Sequence, residues 1–426
     1  MNIIMNTLIA LSKAILTPSY VLILIIIGFI FYRRNTKTTI MQKMIIGNSL
    51  KSPLELTLSQ IFLGMLAGVL GSVLLSCFGV FFKNDSAVFL LFVISIFLML
   101  MKSRFVCFSY SGALLGIFSL TIGSMMSEGI DVSYLSVFQV DVNMLMSLIA
   151  ILHIVEGILV LLDGKSGVIP VFTNRNNKII GGFAFKRYWL LPVAMLFMLS
   201  NQDFIYNPQM SVPQIWSFIK GNSLQLLKDS ALGFGAFYGI LGYSTYTFTK
   251  TKNEKIVSSG MSIISYGAVL LVLSLLLKNN IVEQFLLCIL TPVMHEIMLR
   301  FQMYVEMVGE PKYINNDEGI MVLEVAPDSP AYEMGIKSGD ILVELNDIKI
   351  INEEDILKSL SNVSNYIWLK VKNVQGKLSE VSYSNMNSTK KLGLVFVPKI
   401  VPEGSRVMKI DNESFESVLE KAKKKR

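Results

Sequence analysis

The sequence predicts a polytopic α-helical membrane domain of about nine spans (seven to nine), followed by a small α+β domain. Three observations predict it. The 426 residues are 52% hydrophobic and 16% charged, with a mean hydropathy of +0.56, whereas a soluble globular chain carries about 25% charged residues. Nearly uncharged windows of about 20 residues recur up to Arg300, each long enough to cross roughly 30 Å of hydrocarbon. Beyond Arg300 they stop, and short alternating runs broken by Gly, Pro, Asn and Asp replace them.

The windows fall at 14–32, 59–82, 87–101, 105–126, 143–162, 188–201, 230–248, 257–277 and 281–299; the third and sixth are short. The first reads as a true span rather than a cleavable signal peptide, because no small-residue cleavage site precedes Arg33-Arg34. Loop charge sets the orientation. One set of loops carries Arg33, Arg34, Lys37, Lys43, Lys51, Lys102, Arg104, Lys165, Arg175, Lys178, Lys186, Arg187, Lys250, Lys252 and Lys255. The other carries Lys13, Lys83, Lys220, Lys228 and Lys278, and its 127–142 loop has Glu128, Asp131 and Asp141 with no basic residue. Fifteen against five is a positive-inside bias. It predicts a multi-pass cell-membrane protein with its N-terminus outside and everything after Arg300 in the cytoplasm. Miscounting two spans as a pair leaves that side unchanged.

The expected organisation is a membrane domain over 1–300, a linker over 301–318, a folded domain over 319–400 and a basic tail over 401–426. The linker continues the last helix until Gly309 and Pro311 break it. Residues 320–325 are apolar and β-branched enough for a strand. Ser329-Pro330 fits an N-cap followed by proline at the first helical position, and Gly335 can end that short helix in the left-handed conformation. Strands follow at 341–345 and 348–351, joined by a tight Asn346-Asp347 turn. Asn352 caps a helix to about Leu360, 366–374 and 378–384 alternate as a hairpin, and 392–397 is a last strand.

That order, with Gly319-Ile320, Pro327, Ser329-Pro330-Ala331, Gly335-Ile336 and Ser338-Gly339-Asp340-Ile341-Leu342, closely resembles a bacterial PDZ domain. The resemblance implies capture of an extended peptide or C-terminal tail as an added strand at a sheet edge. The stretch before Gly319, "KYINNDE", does not look like the usual carboxylate-binding loop. "KLGLVFVP" near the end looks more like it, which leaves two readings. Either the domain is circularly permuted and Leu392, Gly393 and Leu394 form the binding loop, or they form a core strand with a bulge glycine. Gly319 and Ile320 are further candidate peptide-binding positions, and Ile356, Leu357 and Leu360 would line the other side of the groove. The terminal Lys421, Lys423, Lys424, Lys425 and Arg426 would attract anionic membrane lipid, or form a solvated end. No aromatic interleaving accompanies them, so no nucleic-acid partner is expected.

His295-Glu296 looks like half of the zinc-protease motif H-E-x-x-H, but Leu299 stands where the second histidine belongs. The chain holds only His153 and His295. Leu162-Asp163-Gly164 resembles a site-2-type protease motif, yet it precedes His295, the reverse of that family's order. A site of His153, Glu156 and His295 across two helices is conceivable, but interhelical hydrogen bonding is the simpler role. Cys77, Cys107 and Cys288 lie in predicted spans without metal or redox spacing and read as packing residues. No nucleophile elbow, phosphate loop or dinucleotide fingerprint occurs. No catalytic residue, metal ligand or cofactor is therefore expected.

The many-span architecture, "HEIM" in the last span, "GIMVLEVAPDSPAYEMGIKSGDIL" and the terminal "LGLVFVP" together resemble the MinJ-like topological determinants of cell division of Gram-positive bacteria. The resemblance is strongest over about 291–398. It implies a non-enzymatic scaffold, enriched at septum and poles, that bridges a DivIVA-like protein to a MinD-like protein and thereby MinC, restraining FtsZ ring assembly. The chain departs from the family in its larger number of spans and its very basic tail. Alternatives are a membrane adaptor for another signalling or secretion pathway, and a divergent intramembrane metalloprotease.

Overall fold

The computed structural model describes residues 3–83, 86–101, 105, 107–199, 216, 231–277, 280–361, 365–384 and 391–399. Its helices are α1 (Ile3–Leu16), α2 (Pro18–Ile46), α3 (Pro53–Cys77), α4 (Leu90–Met101), α5 (Phe108–Ser127), α6 (Val142–Asp163), α7 (Lys252–Leu276) and α8 (Ile281–Val308). Among the described residues six helices are long and apolar enough to cross a membrane: α2, α3, α5, α7, α8 and the Ser133–Asp163 stretch that contains α6. Local chemistry fixes their ends. α2 opens on Pro18 and closes on Gly47 at φ +84°, a left-handed stop that a side chain would strain. Reciprocal capping boxes start α3 (Ser52, Glu55) and α7 (Thr251, Glu254).

Two of the nine expected spans are not helices. The 188–201 and 230–248 windows fall, as far as they are described, on two long strands, β3 (Lys178–Leu199) and β4 (Ala231–Thr247). These pair antiparallel from Phe183↔Thr247 to Leu199↔Ala231. β1 (Phe81–Lys83) and β2 (Ile169–Arg175) join β3 as well. Composition explains the outcome. β4 carries Gly233, Gly235, Gly239 and Gly242 among aromatic residues. Glycine costs about 1 kcal/mol in a helix interior, while aromatic and β-branched residues favour a pleated surface. The glycines also make room: a Cβ on Gly235 would lie 2.6 Å from the Phe197 ring, and one on Gly242 2.8 Å from Tyr188.

Helix α3 packs closely over β3. Its Gly64 and Gly68 sit so close to β3 that a Cβ would fall 2.3 Å from the Leu190 carbonyl oxygen and 2.2 Å from that of Pro192. Tyr20 of α2 donates to the Ala236 carbonyl of β4. The remaining short window, 87–101, is a 3-10 turn (Ala87–Phe89) followed by the twelve-residue α4.

Two buried ion pairs tie the sheet to the helices. Asp163 at the end of α6 accepts from Arg187 and from Trp189 Nε1 (3.0 Å), while Arg187 also donates to Ser59 Oγ (2.7 Å) on α3. Glu306 of α8 accepts from Lys255 Nζ (3.1 Å) of α7, the Thr247 hydroxyl (2.9 Å) of β4 and the Thr249 hydroxyl (2.9 Å). Glu306→Gln keeps an acceptor but removes the charge. It is expected to destabilise the detergent-solubilised chain by roughly 1.5–3 kcal/mol, the worth of hydrogen bonds to a charged group, read as a lower melting temperature.

After α8, β5 (Tyr313–Ile314) pairs with β3 through Ile180↔Ile314 and Gly181↔Tyr313. Then follow β6 (Ile320–Val325), α9 (Pro330–Glu333), β7 (Ile341–Leu345), β8 (Ile348–Lys349), α10 (Glu353–Ser361), β9 (Ile367–Lys372), β10 (Leu378–Tyr383) and β11 (Leu394–Phe396). Their sheet runs β10-β9-β7-β6-β11, with β8 on β7. Ile320, Val322, Leu342, Leu345, Ile367 and Leu369 form its core. Asn346 (φ 47°) and Asp347 (φ 63°) make the tight turn into β8. The 401–426 tail lies outside the described residues.

Candidate functional site

The last strand in sequence, β11, lies at the end of the sheet beside the first, β6, with Leu394 opposite Val325 and Val395 opposite Glu324. This places Leu392-Gly393-Leu394 next to a sheet edge, as a permuted chain would. The bulge also exists, but it falls between Val395 and Phe396. Gly393 has φ +81°, and its carbonyl accepts from the Ala326 amide (2.8 Å), while that of Leu392 accepts from Ala331 (3.1 Å). Ser329 caps α9 by accepting from the Tyr332 amide (3.2 Å) and is what a Cβ on Gly393 would strike, at 2.2 Å.

Alternation splits the strand's two faces. Leu392, Leu394 and Phe396 belong to the core of this domain, whereas Val395 and Val397 join the buried cluster of the membrane domain with Leu323 and Tyr313. Lys252 of α7 pairs with Glu324 at 2.6 Å, and Asn315 Nδ2 donates to the Val397 carbonyl (2.6 Å). The sheet is thus seated directly on the membrane domain.

The other candidate residues are distributed as follows. Gly319 and Ile320 lie inside the sheet against β7: a Cβ on Gly319 would fall 2.1 Å from the Leu342 carbonyl oxygen, and Ile320 is fully buried. Ile356 of α10 is buried in the same core. Leu357 and Leu360 lie on α10, their side chains outside the described residues. Asn352 Oδ1 accepts from the Asp355 amide (3.0 Å) at the start of that helix. Backbone amides of Ile351 (2.9 Å) and Asn352 (3.0 Å) donate to Asp355 and hold its carboxyl below the ordinary range. Burial pushes the Asp340 carboxyl up, although the Lys337 amide donates to it at 2.8 Å.

A second constellation lies among the helices. Cys107 Sγ, at the N-cap of α5, is 3.0 Å from His153 Nε2 of α6 and 3.5 Å from His295 Nε2 of α8. The three ligand-type atoms lie within 4.8 Å of one another. The sequence brought His153 and His295 together on paper with Glu156. The structure brings them together with Cys107 instead, a residue read as packing. Glu156 follows one turn along α6, within electrostatic reach of all three. The two protease-like motifs are engaged elsewhere. Asp163 holds Arg187, and Glu296 accepts from Tyr110 (3.0 Å) and Arg300 (3.1 Å).

Comparison with known proteins agrees with this architecture. Residues 321–372 match the PDZ domain family. Over 225 residues the chain is 24% identical to the cell division topological determinant MinJ of Bacillus subtilis (strain 168), a match covering 51% of this chain and 52% of that protein. The chain thus spans about half the length of the curated relative it matches. The protein is a polytopic α-helical membrane protein that carries a PDZ domain and is similar to MinJ.

Proposed function

We propose that the chain is a non-enzymatic membrane scaffold for cell division, recruiting cytoplasmic division regulators through its PDZ domain. The observation that carries this reading is the seating of a peptide-binding type of domain on a bundle of membrane helices, in a chain similar to a division determinant. The PDZ fold captures extended peptides by adding them to a sheet edge, and β11 is the edge strand beside the Leu392-Gly393-Leu394 loop. Confinement to the membrane plane raises the effective concentration of captured partners, so even a weak groove recruits. The partners proposed are a DivIVA-like protein and a MinD-like protein, bridged at septum and poles, with the PDZ domain on the cytoplasmic side.

A C-terminal fusion to a fluorophore that matures only in cytoplasm tests this reading in the native cell. Fluorescence concentrated at forming septa is the expected result. A bright but uniform membrane signal would sink septal scaffolding, and a dark fusion of full-length protein would invert the orientation.

A further inference from the structure

We propose that Cys107, His153 and His295 bind a divalent transition-metal ion of borderline softness, zinc in the first instance. A tetrahedral zinc with thiolate at about 2.3 Å and imidazole at about 2.0–2.1 Å holds its ligand atoms roughly 3.3–3.6 Å apart. The sulfur-to-nitrogen separation to His295 is 3.5 Å, inside that range, and that to His153 is 3.0 Å, which a bound ion would widen by a few tenths of an ångström. The mixed sulfur and nitrogen donor set suits zinc better than the oxygen-seeking magnesium or calcium.

The proton inventory points the same way. His153 Nδ1 lies 2.8 Å from the Ile149 carbonyl, which can only accept, so Nδ1 carries a proton and Nε2 is the ring nitrogen turned to the sulfur. His295 Nδ1 faces the Tyr110 hydroxyl at 3.4 Å, and that hydroxyl spends its own proton on Glu296 Oε2 (3.0 Å). His295 Nδ1 is therefore the donor there, and its Nε2 is the nitrogen turned to the sulfur. Both Nε2 atoms thus converge on one sulfur.

The Ser109 hydroxyl stands 3.2 Å from His153 Nε2 and accepts from Cys107 Sγ (3.3 Å), while Tyr266 donates to the Thr291 carbonyl (3.0 Å), so the 2.8 Å contact between Ser109 and Tyr266 takes the serine proton. A cation bound by both nitrogens and the thiolate would use all three converging atoms. Outer partners that hold Nδ1 and aim Nε2 are the usual support of a metal-ligating histidine.

The ligands come from α5, α6 and α8, and α8 leads into β5 and the PDZ domain. The ion would therefore brace the helix from which that domain hangs. Metal binding requires deprotonated sulfur, so it expels the thiol proton.

The test is metal analysis of the full-length chain, purified in detergent with no polyhistidine tag. The expected result is one zinc per chain, lost in Cys107→Ser and His295→Gln and kept in Cys77→Ser. Should the ligand variants fail to fold, loading the wild-type chain with cobalt replaces them. A sulfur-to-cobalt charge-transfer band is expected, with Cys107 becoming reactive to maleimide only after chelation. Wild-type chain that takes up neither zinc nor cobalt would overturn the site, as would zinc retained equally by folded Cys107→Ser. Septal imaging is scored separately, so failure here leaves the scaffold reading intact.

Discussion

Arg187→Leu is expected to destabilise the membrane domain more than any other single exchange considered. Arg187 and Asp163 are both almost fully buried, and the guanidinium also reaches the Leu56 carbonyl (3.4 Å) and Ser59 Oγ (2.7 Å). Removing the cation strands a carboxylate that, among the described residues, keeps the Trp189 indole alone (3.0 Å). Breaking one side of a buried pair costs about 3–5 kcal/mol, because the abandoned charge stays desolvated. The measurement is the melting temperature and monodispersity of the full-length chain in detergent. Arg187→Leu combined with Asp163→Leu should recover much of the loss, though not all, since Trp189 then lacks its acceptor. Equal damage from the single and double variants would show that Arg187 acts through packing alone.

That ion pair also explains a motif that looked catalytic. Leu162-Asp163-Gly164 reads like part of a protease site because a carboxylate inside a hydrophobic helix demands a reason. The reason is Arg187, a basic residue that loop counting had assigned to a cytoplasmic loop. It lies instead within β3 and turns inward.

The PDZ domain was far more legible than the membrane domain, and the difference is physical. Ser329, Pro330, Gly335, Asn346-Asp347 and Asn352 each fix backbone geometry within four residues of themselves, so strand and helix positions could be read locally. Hydropathy carries no such information about conformation. The 188–201 and 230–248 windows are as apolar as a helical span, and only the glycines at 233, 235, 239 and 242 signalled strands. Cys107 was illegible for another reason. It stands 46 residues from His153 and 188 from His295, so no spacing rule could join them. Glu156, three residues from His153, looked the better companion.

Gly393→Ala should unfold or loosen the PDZ domain rather than merely empty its groove. The residue sits at φ +81°, where an L side chain costs about 1–2 kcal/mol. The new Cβ would also fall 2.2 Å from Ser329 Cβ and 2.4 Å from its Oγ, an overpacking worth typically about 1–3 kcal/mol. The combined loss of roughly 2–5 kcal/mol should appear in the full-length chain as faster proteolysis after Pro311, with the membrane helices still protected. Ser329→Gly removes both atoms in the way, and glycine is a tolerable N-cap costing a few tenths of a kcal/mol. The double variant should therefore regain the steric part of the loss while keeping the conformational part, a coupling that a two-residue cycle measures directly. If partner capture fails in the refolded double variant, Gly393 matters to the binding loop itself. If capture returns with the fold, the glycine serves the contact with Ser329, and the groove chemistry lies with Leu394 and α10.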